Sequence, residues 1–259
     1  MAFSKHLFIS DVHLGAFSEQ TNASIEEDLI ALITYCKTER VEIHILGDLF
    51  DYWMEYPEKD FVPTLGKRIL DAFEDYNKTL TPALFIMGNH DNWTFGHFKD
   101  RGFDLEPNFR LKEIDGKRFL LMHGDGVAVS RIDFPRAAFH KVLRSPKFVS
   151  AYQKVLSPER GLAAMKLFSS VTRRRNNHNP EPLNRQAKKI FSKHTLDYII
   201  SGHDHIARTE TFSSGDYINL GAFFKNRTLA LYTKGELKLV RWKAASKNFL
   251  PFERNNPKL

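Results

Sequence analysis

The chain has 259 residues, 42% of them apolar, enough for one large domain with a substantial core. Its single cysteine excludes an internal disulfide, and none of its apolar runs is long enough to cross a bilayer as a helix. The net charge of +7 hides an asymmetry: residues 127–194 hold 15 Lys and Arg against 3 Asp and Glu, a local balance of +12, and the remainder stands at −5.

The opening Met1-Ala2-Phe3-Ser4-Lys5 enters the first strand at once and leaves no room for a secretory leader. With the lone thiol, this points to a reducing cytoplasm. Residues 6–10 read as a buried strand that runs into the loop Asp11-Val12-His13-Leu14-Gly15. Asn22-Ala23-Ser24 can cap a helix reaching about Arg40, with Glu26, Glu27 and Asp28 suiting its N-terminal dipole. Its stripe Ile25, Leu29, Leu32, Ile33, Cys36 has helical spacing and makes Cys36 a core thiol. A strand at 43–46 stops at Gly47-Asp48-Leu49-Phe50-Asp51. Pro63 opens a second helix to about Asn77, and a third strand, 83–87, ends in Gly88-Asn89-His90-Asp91. Residues 103–115 read as a short strand and turn. Asp115-Gly116 is a hairpin signal before the strand at 118–122, which runs into His123-Gly124-Asp125-Gly126.

Residues 127–194 break this alternation. Helices are expected from Pro135 to Ser145, from Lys147 to Leu156, from the cap Ser157-Pro158-Glu159 to about Arg173, and, after a loop at 176–182, to Lys193. The segment carries large apolar residues such as Phe139, Leu143, Phe148, Val149, Tyr152, Leu162, Met165 and Phe168. They serve equally well as ordinary helix-packing faces or as a cover over a lipid chain. A strand at 196–201 then ends in Gly202-His203-Asp204-His205, and short strands at 209–212, 217–220, 228–232 and 236–242 suggest a second sheet before a loose polar tail. Strands alternating with helices give an α/β class.

Five apolar runs thus deliver Asp, Asn and His to what would be one edge of one sheet, where open α/β sheets place their chemistry. Mixed carboxylate, amide and imidazole donors suit Mn²⁺, Fe or Zn²⁺ better than Ca²⁺. Two such cations can share a carboxylate, for which Asp48 is the candidate, and a hydroxide that attacks phosphorus in line. His6, His44, His97, His140, His178 and His194 fall outside these motifs and read as surface or core residues.

The motifs Asp11-x-His13, Gly47-Asp48-x-x-Asp51, Gly88-Asn89-His90-Asp91, His123-Gly124 and Gly202-His203-x-His205 resemble, in order, those of the calcineurin-like metallophosphoesterases, over residues 6 to about 242. The resemblance implies a four-layer α-β-β-α sandwich, a single domain over 1–259 with 127–194 as a helical insert or lid. It implies that Asp11, His13, Asp48 and His205 hold one divalent metal ion, and Asp48, Asn89, His123 and His203 a second, with Mn²⁺ expected ahead of Fe or Zn²⁺. His90 would stabilise or protonate the phosphoryl transition state, Asp91 would orient its ring, and Asp51 would support the ligands.

A narrower resemblance rests on Asp48-Leu49-Phe50-Asp51-Tyr52-Trp53, on His123-Gly124-Asp125-Gly126 and on the basic insert. These are similar to the UDP-2,3-diacylglucosamine hydrolases of lipid A synthesis. Those enzymes cleave the pyrophosphate of a lipid nucleotide to UMP and a diacylglucosamine 1-phosphate. Phe139–Arg144 and Ser170–Arg174 are similar to their acyl-covering, phosphate-gripping insert. The implied substrate contacts are Asn89, His90, Asp125, Arg173 and Arg174, and the implied location is the anionic inner face of the cytoplasmic membrane. One position departs: the best-known members carry arginine where this chain has His90. Two other readings stand beside it. One is a phosphoesterase for another nucleotide, phosphodiester or phosphoprotein. The other is a non-catalytic scaffold, which the full ligand set disfavours. Arg173-Arg174-Arg175 comes without stacking aromatics, so no nucleic acid partner is expected.

Overall fold

The computed structural model describes residues 3–126, 136–175 and 179–252, without the side chains of Phe139 and of residues 168–175. Its layers follow from side-chain alternation in β1 (Lys5–Ile9), which sends Leu7 and Ile9 to one face and Phe8 to the other. The strands β2 (Glu42–Leu46), β3 (Leu84–Ile86) and β4 (Asp104–Glu106) extend it in parallel. On its other side lie β10 (Thr228–Thr233), β11 (Glu236–Lys243) and β12 (Asn248–Pro251), antiparallel, giving the order β12-β11-β10-β1-β2-β3-β4. A second sheet has the order β5-β6-β7-β9-β8, from β5 (Phe109–Ile114), β6 (Lys117–Met122), β7 (Tyr198–Ser201), β8 (Arg208–Phe212) and β9 (Gly215–Asn219).

The five ligand-bearing strands therefore do not share one sheet. The first three lie in one, β6 and β7 in the other, because β5 pairs only with its hairpin partner β6 and so starts a new sheet after β4. Residues 228–233 and 236–243, expected with the second sheet, instead complete the first. Residues 248–251, expected as loose tail, add an edge strand to it.

Helix α1 (Glu19–Thr38) buries the expected stripe Ile25, Leu29, Leu32, Ile33 and Cys36 against the first sheet, together with α2 (Lys67–Thr79) and α3 (His97–Asp100). Each large side chain so buried is worth about 1.5–3 kcal/mol. The cap of α1 is Ser18, whose hydroxyl accepts from the Thr21 N–H, so the helix starts about a turn earlier than Ser24 implied. Similarly, α2 starts after Gly66, not at Pro63.

The insert comprises α4 (Ala138–Leu143), α5 (Pro146–Val155) and α6 (Pro158–Arg175). Leu143, Val149 and Met165 pack on Tyr52, Met54, Tyr56 and Trp93, which follow the Asp48 and Asn89 loops. The last helix of the expected insert, α7 (Glu181–Lys193), instead packs Leu183, Ala187, Ile190 and Phe191 on the outer face of the second sheet. It is the sandwich's fourth layer. A short α8 (Phe223–Asn226) precedes β10.

Candidate metal centre

The ligand loops leave the C-terminal ends of β1, β2, β3, β6 and β7 and meet between the two sheets. Asp11, His13, Asp48, His203 and His205 all have left-handed backbones, with φ of 52°, 47°, 54°, 77° and 61°. That region costs a non-glycine residue about 1–3 kcal/mol and concentrates at functional sites. The glycines in these loops answer to crowding. A Cβ at Gly88 would lie 2.0 Å from Asp48 Oδ1, and one at Gly202 would lie 2.1 Å from Asp11 Oδ2.

Two overlapping clusters result. In the first, His205 Nε2 lies 3.1 Å from Asp11 Oδ1 and 3.2 Å from His13 Nε2, which is 3.5 Å from Asp48 Oδ2. In the second, His123 Nε2 lies 3.3 Å from Asp48 Oδ2 and 3.1 Å from Asn89 Oδ1. His123 donates its Nδ1–H to the Leu46 carbonyl at 2.8 Å, which fixes the tautomer and turns Nε2 inward, as for a metal-bound imidazole. The His203 ring packs edge-on against His123, 5.1 Å between centroids, and the His203 backbone N–H donates to Asp11 Oδ2. Asp48 stands in both clusters, the place of a bridging carboxylate. All seven expected ligands are therefore brought together.

The electrostatics fit cations. Burial opposes a charge on His13 and His123, but carboxylates overcome it. The carboxylates of Asp11, Asp51 and Asp48 beside it lift His13 to about 9, and Asp48 above all lifts His123 to about 10. Asp11 and Asp48 stay ionised despite burial, held by the surrounding histidines. Asp11 Oδ1 has no hydrogen-bond partner and almost no exposure. The centre thus favours positive charge among its carboxylates, which divalent ions would supply. Asp11, His13, Asp48 and His205 would hold one, and Asp48, Asn89, His123 and His203 the other.

His90 stands beside the clusters, with Nε2 3.9 Å from Asp48 Oδ2 and its ring against Tyr52 and His13. Its Nδ1 meets the Asp51 carbonyl, so the backbone at Asp51 sets the ring's angle. Asp91 does not, contrary to what the resemblance implied: its carboxylate accepts the N–H groups of Leu49 and Gly88 at 2.7 and 2.8 Å and ties two ligand loops together. Burial lowers the pKa of His90, which favours the neutral ring near neutrality.

Asp125 is buried and held by Arg136 and Arg144, each at 3.1 Å. Arg144, at the end of α4, also donates to the carbonyls of Met87 and Gly88 at 3.0 and 2.7 Å, one residue before the ligand Asn89. A buried Arg208 does the same for α7: it binds Asn184 and the Pro180 carbonyl and pairs with Asp204, between the ligands His203 and His205. Phe224 of α8 packs edge-on against His13 and His205. Arg136, Arg208 and Phe224 carried no local sequence signal, because each acts across long loops. Arg173 and Arg174 lie on the last turn of α6, and their side chains are outside the described residues.

The chain is similar in sequence to several known proteins. The family model for calcineurin-like phosphoesterase matches residues 4–207. A UDP-2,3-diacylglucosamine hydrolase of Photorhabdus laumondii is 28% identical over 207 residues, 77% of this chain and 81% of its own. One of Porphyromonas gingivalis is 33% identical over 123 residues, 47% of this chain and 46% of its own. A solved archaeal phosphodiesterase aligns over 91% of this chain and 98% of its own, at 17% identity and a TM-score of 0.45.

Proposed function

The chain belongs to the calcineurin-like phosphoesterase family and is a metal-dependent phosphoesterase, and we propose that its substrate is UDP-2,3-diacylglucosamine. Water adds to one phosphorus of the pyrophosphate and the bridging P–O bond breaks, releasing UMP and 2,3-diacylglucosamine 1-phosphate. One observation carries this reading. Two cavities meet at Arg144 and Asn92 beside the Gly88–His90 loop. The first, about 370 Å³, is basic, with Arg136 and Lys141 in its wall. The second, about 360 Å³, is lined by Trp93, Phe95, Pro146 and Val149. A molecule with an anionic head and greasy tails uses both, and each buried methylene contributes about 0.8 kcal/mol.

Two divalent cations, Mn²⁺ in this reading, neutralise phosphoryl oxygens and activate water when bound. His90 presents Nε2 to the phosphoryl group and exchanges a proton there, its ring held by the Asp51 carbonyl. Asn89, whose Oδ1 lies 3.1 Å from His123 Nε2, would hold one metal and face the same phosphate. Asp125 acts through Arg136 and Arg144, which it orients, and Arg173 and Arg174 add to the anionic grip. Val155 and Leu167 are exposed on the basic insert at 82% and 68%. They suit contact with an anionic membrane, on its cytoplasmic face in this reading. No described helix is long and apolar enough to cross a membrane.

The test is to incubate the purified chain with Mn²⁺ and UDP-2,3-diacylglucosamine and follow products by phosphorus NMR. UMP and the lipid 1-phosphate are expected. Cleavage of bis-p-nitrophenyl phosphate without cleavage of the lipid nucleotide would discard this substrate and keep the phosphoesterase.

A further inference from the structure

We propose that His6, Glu42 and His44 form a separate mononuclear site for a borderline cation such as Zn²⁺, at the end of the sandwich opposite the catalytic loops. β1 and β2 run in parallel, with His6 beside Glu42 and Phe8 beside His44. All three side chains therefore enter the space between the sheets near the start of their strands.

The geometry is that of a tripod. His6 Nδ1 lies 2.8 Å from Glu42 Oε2 and 3.5 Å from His44 Nε2, and His44 Nε2 lies 3.8 Å from Glu42 Oε2. Three atoms at those separations lie on a circle of radius about 2.0 Å, the length of a Zn–N or Zn–O bond. One ion reaches all three with little movement.

Hydrogen bonding alone does not account for His44. It is fully buried, and its Nδ1 has no partner. Its Nε2 faces His6 Nδ1, the same atom that approaches Glu42. If His6 Nδ1 carries a proton, that proton belongs to Glu42 and His44 is left unserved. If it does not, two acceptors face each other at 2.8 Å. A buried polar group without a partner costs about 1–3 kcal/mol, and an apolar residue stacked on Phe8 would avoid that cost. A cation among the three donors satisfies them together.

The protonation states also suit a metal. Burial holds His44 neutral, with its pKa down at about 3. Glu42 is held ionised at about 2 against its burial, chiefly by the His6 hydrogen bond and by Lys112. Lys112 binds the other carboxylate oxygen, Oε1, at 2.5 Å and leaves Oε2 to the ion. Its charge weakens a dication's binding, which sets this site below a four-ligand structural zinc site in affinity. Glu42 and Lys112 also line a surface cavity of about 320 Å³, so the carboxylate lies beside a solvent-filled opening.

The experiment uses the whole chain with its catalytic centre disabled by Asp11→Ala, Asp48→Ala, Asn89→Ala and His205→Ala. It is titrated with Zn²⁺ and, separately, Co²⁺, then analysed for bound metal. One Zn²⁺ per chain is expected, with the visible Co²⁺ bands of a four-coordinate N/O site. Adding His44→Gln should weaken binding at least tenfold and abolish those bands. His6→Gln, nearer the rim, should do the same if His44→Gln fails to fold by circular dichroism. In an otherwise unaltered chain, His44→Gln should leave Mn²⁺-dependent diester hydrolysis unchanged. No bound Zn²⁺ in the disabled chain, or Zn²⁺ that survives both histidine substitutions, would overturn the proposal.

Discussion

Both ends of the sandwich gather histidines and carboxylates, but they do so differently. At the catalytic end, five ligands have left-handed backbones on loops, and glycines open room for carboxylates beside neighbouring chain. At the far end, His6, Glu42 and His44 sit in regular strands and meet through register alone. The far cluster is a by-product of sheet pairing that a cation can use. The catalytic cluster is imposed on the fold against local backbone preference, and the surrounding hydrogen bonds hold it there. Conformational strain marks the end where the geometry answers to two ions and a substrate.

The sharpest way to break this comparison is Asp48→Ala. Asp48 Oδ2 faces both His13 and His123 and so is shared between the two catalytic clusters; turnover should vanish and manganese content should fall, while the far cluster stays intact. Two manganese ions per chain in that variant would remove Asp48 from the bridging place. His90→Ala should come next, with kcat down ~10²–10⁴-fold and metal content unchanged. An unaltered kcat in the fully loaded protein would end its assigned role.

Arg144→Ala tests whether the insert positions the strained end. It frees the Gly88 carbonyl and one side of Asp125, so both the lipid nucleotide and a small soluble diester should be cleaved more slowly, by about tenfold or ~1.4 kcal/mol. Val149→Asp lies in the apolar cavity and should raise KM for the lipid nucleotide only. Equal losses on both substrates in both variants would show that the insert merely supports the fold.

The smallest effect is on stability, where the catalytic end alone shapes the alkaline flank and both ends shape the acid one. His13 and His123 have folded pKa values near 9 and 10, above the ordinary 6.5. Their contribution is full below about pH 6.5 and is lost as pH rises through 9 to 10. His44 has a folded value near 3, so the unfolded chain alone takes its proton below about 6.5 and stability falls from there toward pH 3. Melting temperatures in chelator should therefore fall on both flanks. His44→Phe should ease the acid flank and leave the alkaline one unchanged, whereas saturating Mn²⁺ should change the alkaline flank. A single flank insensitive to both would contradict the comparison.

Much of the centre was legible because each motif is contiguous and ends an apolar run, as Leu46-Gly47-Asp48 and Met87-Gly88-Asn89-His90 do. The α1 stripe was legible because helical periodicity is local. Sheet membership was not, because strands at 118–122 and 228–233 look alike in sequence and differ only in which distant strand they pair with. The place of α7 depends on the outer face of a sheet assembled from strands on both sides of it in the chain. Arg144 stood in a stretch already singled out, but its contact with Gly88 spans 56 positions. Ser18 and Ser24 are equally good caps by composition, and only packing of the first turn decides between them.

β1 lies between β2 and β10, with residues 5–8 bonded to residues 230–233. On the ribosome, β2 emerges soon after β1, while β10 must wait for more than two hundred further residues. At about 5–20 residues per second, that edge stays unpaired for on the order of ten to forty seconds. During that interval Leu7, Phe8 and Ile9 form an apolar strand with open backbone donors and acceptors, ready to pair with another nascent chain. His203 and His205 also arrive late, so a stalled chain cannot be rescued by metal. Yield in the cell should therefore depend on chaperones that shelter the first hundred residues, more than on the supply of cations.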